Sequence, residues 1–159
     1  MSPLKEKFVF NGFPVDDMSV ENAAARVVEM MQEKRGDIVV TPNASHFLYL
    51  RNDPEFRAAY RKASLVLPDG ASLILASRLI GPSLKERCPG VDLFLALCVK
   101  LSSGSHRIFL LGGERGSESI ARDKLLRSNP NLSVGTYSPP RGYEMDSAEQ
   151  KKIIEVVNA

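Results

Sequence analysis

The sequence predicts an α/β fold, a mostly parallel sheet flanked by helices, with a small β-hairpin at the amino end. Three observations carry the prediction. Short apolar runs, Ile38-Val39-Val40, Leu65-Val66-Leu67 and Ile108-Phe109-Leu110-Leu111, have the pattern of strands buried on both faces. They alternate with stretches of helical apolar spacing. Each run also stops at a proline or glycine turn, as strands feeding crossover helices do. At 159 residues, one domain spanning 1–159 is expected, able to bury about 70% of the surface its unfolded chain exposes.

In chain order, Phe8-Val9-Phe10, Asn11-Gly12 and Phe13-Pro14-Val15 read as a hairpin, because Asn-Gly takes the positive φ angles of a tight turn. A helix follows with Ser19 as N-cap and Val20, Ala24, Val27 and Met31 on its apolar face, closed by Lys34, Arg35 and Gly36. After the strand at 38–40, helical spacing resumes around Phe47 to Leu50. Asp53-Pro54 then starts a further helix with Phe56, Tyr60 and Ala63 inward. The second buried strand ends at Pro68-Asp69-Gly70, and a helix from Ala71 to Ile80 is closed by Gly81. A polar loop at 82–90 precedes a helix lined by Leu93, Leu97 and Leu101. The third strand, a glycine loop at 112–116 and a helix from Ser117 to Arg127 follow. A weaker strand at 132–137 then leads to a last helix capped by Asp146 or Ser147, with Glu149, Ile153, Val156 and Val157 inward. This order is Rossmann-like. It also stops on a helix where a crossover would deliver another parallel strand, so the sheet is expected to continue past residue 159.

Composition removes several classes of function. The 43% apolar and 25% charged shares are those of a globular chain. Lys and Arg number 21 against 19 Asp and Glu, a net +2 without charge blocks, so no nucleic-acid partner is expected. Cys88 and Cys98 make no disulfide framework and have no partners at metal-ligand spacing, which suits reduced thiols in the cytoplasm. The least polar window, 91–101, carries Asp92 and Lys100 and is far short of the ~20 residues of a membrane span. Residues 1–7 lack the apolar core of a signal peptide. A cytoplasmic location, with room for peripheral contact at a membrane, is the expectation.

Ligands of open parallel sheets gather beyond the carboxyl ends of the strands, which directs attention to three turns. Thr41 and Asn43 offer hydrogen-bonding side chains that would grip sugar hydroxyls, while Asn43 would equally cap the next helix. Asp69 is placed either to act as a general base on an attacking hydroxyl or to cap the helix beginning at Ala71. Gly112, Gly113 and Gly116 precede a helix whose amides would cradle a diphosphate, but they depart from the G-x-G-x-x-G spacing and lack the acidic residue of dinucleotide sites. Arg87, in the 82–90 loop, would neutralise a departing diphosphate or simply sit in solvent. His46 and His106 are isolated and no Asp-x-Asp triplet occurs, so neither a metal nor another cofactor is expected.

Taken together, Thr41-Pro42-Asn43, Asp53-Pro54-Glu55-Phe56-Arg57, Leu67-Pro68-Asp69-Gly70, Gly81-Pro82-Ser83-Leu84-Lys85-Glu86-Arg87 and Gly90-Val91-Asp92-Leu93-Phe94 resemble the WecG/TagA/CpsF glycosyltransferases, family 26. The likeness runs on through Gly112-Gly113 to Arg141-Gly142-Tyr143 and covers about residues 8–157. The resemblance implies inverting transfer of N-acetylmannosamine, or a related hexose or uronic acid, from a UDP-sugar donor. The acceptor would be a polyprenyl-diphosphate-linked N-acetylglucosamine, in the making of teichoic acid, common antigen, capsule or exopolysaccharide. It further implies that Thr41 and Asn43 bind the acceptor, Asp69 is the base, Arg87 stabilises the diphosphate, and Gly112 and Gly113 lie on the nucleotide side. Members of the family continue into a Pro-Lys-Gln-Glu-like turn and an arginine-rich, membrane-facing appendage that these 159 residues do not contain. A catalytically inactive nucleotide-binding or assembly module is the alternative, with a dinucleotide-dependent oxidoreductase a weaker third. The open sheet edge makes self-association an expectation.

Overall fold

The computed structural model describes residues 8–33, 36–104 and 106–159, with Phe47 described by its backbone alone. Lys34, Arg35 and residues 1–7 lie outside the described residues. The chain divides into two compact units, 1–97 and 98–159.

The Asn-Gly signal acts as physics requires. Asn11 takes φ 51° and Gly12 φ 92°, turning β1 (Val9–Phe10) into the antiparallel β2 (Phe13–Pro14). Phe8, Phe10, Phe13 and Val15 are all buried, in a core shared with Leu50, Tyr60, Val66, Leu73 and Leu84. Helix α1 (Val20–Glu33) begins where Ser19 Oγ accepts from the Asn22 amide at 3.2 Å. Its buried stripe contains Ala23, Ala24 and Met30, with Val20 and Val27 partly buried against the core. Met31, expected inward, is exposed. The stripe follows the i, i+4, i+7 series Ala23, Val27, Met30, one step around the helix from the expected face.

Strand β3 (Ile38–Val40) pairs parallel with β4 (Ala63–Val66). Between them, α2 (Ala44–Asn52) and α3 (Pro54–Tyr60) share Asp53, which ends the first helix and caps the second by accepting from the Glu55 and Phe56 amides. Ala63 is not the inner residue of α3. That helix ends at Tyr60, and pairing of Ala63 with Ile38 draws it into the strand. Ile38 is 41% exposed, so β3 is not covered on both faces. Leu67 extends the ladder by donating its amide to Val40 O at 2.9 Å and is wholly buried. Helix α4 (Ala71–Ile80) ends as Gly81 donates to Ser77 O, and α5 (Gly90–Leu101) carries Leu93 and Leu101 buried.

In the second unit, β5 (Arg107–Leu111) pairs parallel with β6 (Ser133–Tyr137) around α6 (Ser117–Ser128). Leu111 is 47% exposed, because this two-stranded pair leaves a strand end uncovered. Asp146 caps α7 (Ser147–Asn158) through the Ala148 and Glu149 amides. Ile153 is buried as expected, whereas Val157 is exposed. Glu149 turns inward to accept from the Tyr137 hydroxyl.

Candidate active site

The carboxyl ends of β3 and β4 run into turns that are hydrogen-bonded to each other. The Asp69 amide donates to Pro42 O at 2.9 Å, continuing the parallel ladder one step beyond the strands. This bond sets Thr41, Asn43 and Asp69 on one edge of the sheet. Asn43 does cap α2: its Oδ1 accepts from the Ser45 amide at 3.1 Å and from Ser45 Oγ at 2.6 Å. The exposed Asn43 keeps its amide nitrogen without an acceptor among the described residues, so one side chain both caps a helix and offers a donor to solvent.

Asp69 is different. The N-cap position of α4 belongs to Gly70, at φ 105°, and no side chain caps that helix. The half-buried Asp69 carboxylate therefore has no capping duty, and no hydrogen bond or ion pair engages it among the described residues. Gly70 is favoured here because its φ lies where an L side chain strains.

Thr41 faces the start of α5. A Cβ on Gly90 would stand 2.9 Å from Thr41 Oγ1, so the bare glycine is what lets the threonine hydroxyl close on that helix end. The 82–90 loop is tied down at three points. Leu84 donates to the buried Ser77 Oγ at 2.9 Å, Lys85 to Asp17 Oδ1 at 2.9 Å, and Cys88 to Pro68 O at 2.6 Å. Arg87, exposed and without an ion pair among the described residues, immediately precedes that last anchor, which sits one residue from Asp69 in the facing turn. Burial of Cys88, reinforced by Glu86, Asp92, Asp69 and Glu21, pushes its thiol up to about 11. The loop thus holds an exposed cation beside an anchor on the turn that carries Asp69.

Gly112 and Gly113 belong to the second unit. Both take positive φ, 99° and 86°, and Gly116 takes 93° before α6. The Gly112 amide donates to Tyr137 O at 2.9 Å and that of Gly116 to Glu118 Oε2 at 2.8 Å. Among the described residues, the Gly113 amide is the one of the three without an acceptor. Ser138 Oγ donates to the same Glu118 oxygen at 2.7 Å. That bond, with the backbone amides and Arg115, holds the Glu118 carboxyl below its usual range. A carboxylate of the chain itself therefore stands at the helix end where a diphosphate would bind. Sequence reasoning missed Glu118, although an acid in a first helical turn after a glycine is a recognisable signal. It also missed Ser77, which anchors the adjoining loop, and Asp17 and Gly90, which act through contacts far apart in the chain.

A Bacillus spizizenii N-acetylglucosaminyldiphosphoundecaprenol N-acetyl-beta-D-mannosaminyltransferase is 29% identical over 119 residues, 75% of this chain and 46% of the relative. The protein of the same name from Bacillus subtilis is 27% identical over 128 residues, 80% of this chain and 49% of its own. That from Staphylococcus aureus strain NCTC 8325 is 28% identical over 96 residues, 60% and 37%. The chain spans about half the length of the curated relatives it matches, or less. Residues 8–159 match the glycosyl transferase WecG/TagA/CpsF family across nearly the whole chain, and the protein belongs to that family.

Proposed function

We propose that this chain carries the acceptor-activating part of an inverting glycosyltransferase. It moves N-acetylmannosamine, or a related hexose or uronic acid, from a UDP-sugar to polyprenyl-diphosphate-linked N-acetylglucosamine in cell-surface polysaccharide synthesis. One observation carries the reading: an uncapping Asp69 carboxylate, unpaired among the described residues, on the same sheet edge as Thr41 and Asn43. Asp69 takes the proton of the acceptor hydroxyl as that oxygen attacks the anomeric carbon. The bond to the UDP oxygen breaks on the opposite face, which inverts the centre in one displacement. Thr41 and the Asn43 amide orient the acceptor, and Arg87 meets the charge that grows on the leaving diphosphate.

The acceptor's polyprenyl chain sets the reaction at the cytoplasmic face of a membrane. No helix among the described residues is long and apolar enough to cross one, which fits peripheral attachment. Self-association is part of the same reading, since α4 leaves Leu75, Leu79 and Ile80 exposed. Incubating the chain with UDP-N-acetylmannosamine and a short-chain lipid-diphosphate N-acetylglucosamine tests the proposal. A disaccharide lipid of inverted anomeric configuration is expected; a product that retains the donor's configuration, or failure to bind both UDP and the acceptor, would contradict it.

A further inference from the structure

A concavity lies in the first unit, beside β4. It has a volume of about 480 Å3, within the roughly 300–1,000 Å3 of small-molecule sites. Thr41, Asn43, Asp69 and Arg87 are not among the residues that line it.

Its walls come from three elements. Phe13 and Tyr60 supply aromatic surface and meet edge to face, with ring centroids 5.5 Å apart. Arg57 lies over the Phe13 ring at 5.3 Å and donates Nη1 to the Leu50 and Asn11 carbonyls at 3.2 and 3.4 Å, which fixes its guanidinium in place. Arg61, one turn further on and exposed, lines the same cleft. Neither arginine has a carboxylate partner among the described residues, and two guanidiniums four residues apart repel by about 0.2–0.5 kcal/mol unless an anion lies between them. Asp16 stands at the rim, holding the Val66 amide at 2.9 Å.

Two guanidiniums lining one cleft, beside aromatic surface and a carboxylate, suit one ligand chemistry. We propose that this cleft binds a small phosphate ester with a hydroxylated ring body, a sugar or nucleoside phosphate. The phosphate would bridge Arg57 and Arg61, the ring would rest on Phe13 and Tyr60, and its hydroxyls would reach Asp16 and Ser64. The positioned Arg57 needs no reorganisation to receive it, which lowers the cost of binding.

The test uses glucose 1-phosphate, with glucose as the uncharged control, titrated into the 159-residue chain and followed by amide chemical shifts. Saturable shifts are expected in residues 12–16 and 60–66 for the phosphate ester only. In Arg61→Gln, whose exposed side chain leaves the packing untouched, the dissociation constant should rise about tenfold or more. Arg87→Gln should leave those shifts unchanged. No saturable response up to about 10 mM, an equal response to glucose, or a loss in Arg87→Gln with none in Arg61→Gln would overturn the assignment. These outcomes do not depend on whether sugar transfer is observed.

Discussion

Asp69 and Asn43 occupy equivalent turns after parallel strands, yet only one of them is tied to a helix end. The difference is Gly70, whose positive φ rotates the chain so that the glycine takes the cap position and the aspartate faces outward. Asp and Asn are both good caps, so residue type left this choice open, and the backbone of the next residue decides it. Gly90 is the other residue that sets the edge. Gly90→Ala would normally favour a helix, but here the methyl meets Thr41 Oγ1 at 2.9 Å. A loss of about 1–3 kcal/mol in urea unfolding is expected, with weakened acceptor binding. A stabilised variant would show that Thr41 does not close on α5. Nothing in a linear pattern announces this contact, because 49 residues separate its partners.

At the scale of elements, the 82–90 loop is irregular yet held. Ser77→Ala removes the acceptor of the buried Leu84 amide and should cost about 1–3 kcal/mol. Faster hydrogen exchange at Leu84 and lower turnover through a loosened Arg87 should accompany it; unchanged exchange would contradict the tether. The same loop carries Cys88, wholly buried with its thiol pushed up to about 11. It should stay unreactive towards a disulfide reagent at pH 8 until the chain unfolds, and modification of the folded protein at a free thiol's rate would refute that burial.

Helix α6 starts on a carboxylate of its own. Because the folded Glu118 carboxyl titrates below its unfolded range, its stabilisation is present above the unfolded value and lost as pH falls through the folded one. The stability gap between the native chain and Glu118→Gln should therefore close on acidification. A gap that persists at pH 2 would place the effect elsewhere. Helix limits were the most legible part of the sequence. Ala71 to Ile80 and the start of α3 at Asp53-Pro54 follow from caps and prolines, whose action is local. Strand burial was less legible, since Ile38 and Leu111 are apolar but lie where a two-stranded pair stops.

Over the whole molecule, the alternation of strand and helix specified the α/β class, and two parallel pairs plus an amino-terminal hairpin are its realisation. The division into units at 97/98 was not foreshadowed, because it falls inside the regular helix α5, where periodicity continues undisturbed. The acceptor-side residues of the proposed chemistry, Thr41, Asn43, Asp69 and Arg87, all lie in the first unit. The central claim is that Asp69 acts as the base and does not bind the donor. The measurement that tests this most directly compares Asp69→Asn with the native residue in sugar transfer and in UDP affinity. Turnover should fall by about 10²–10⁴-fold with UDP affinity nearly unchanged, whereas undiminished turnover, or a loss explained by weaker UDP binding alone, would contradict the account.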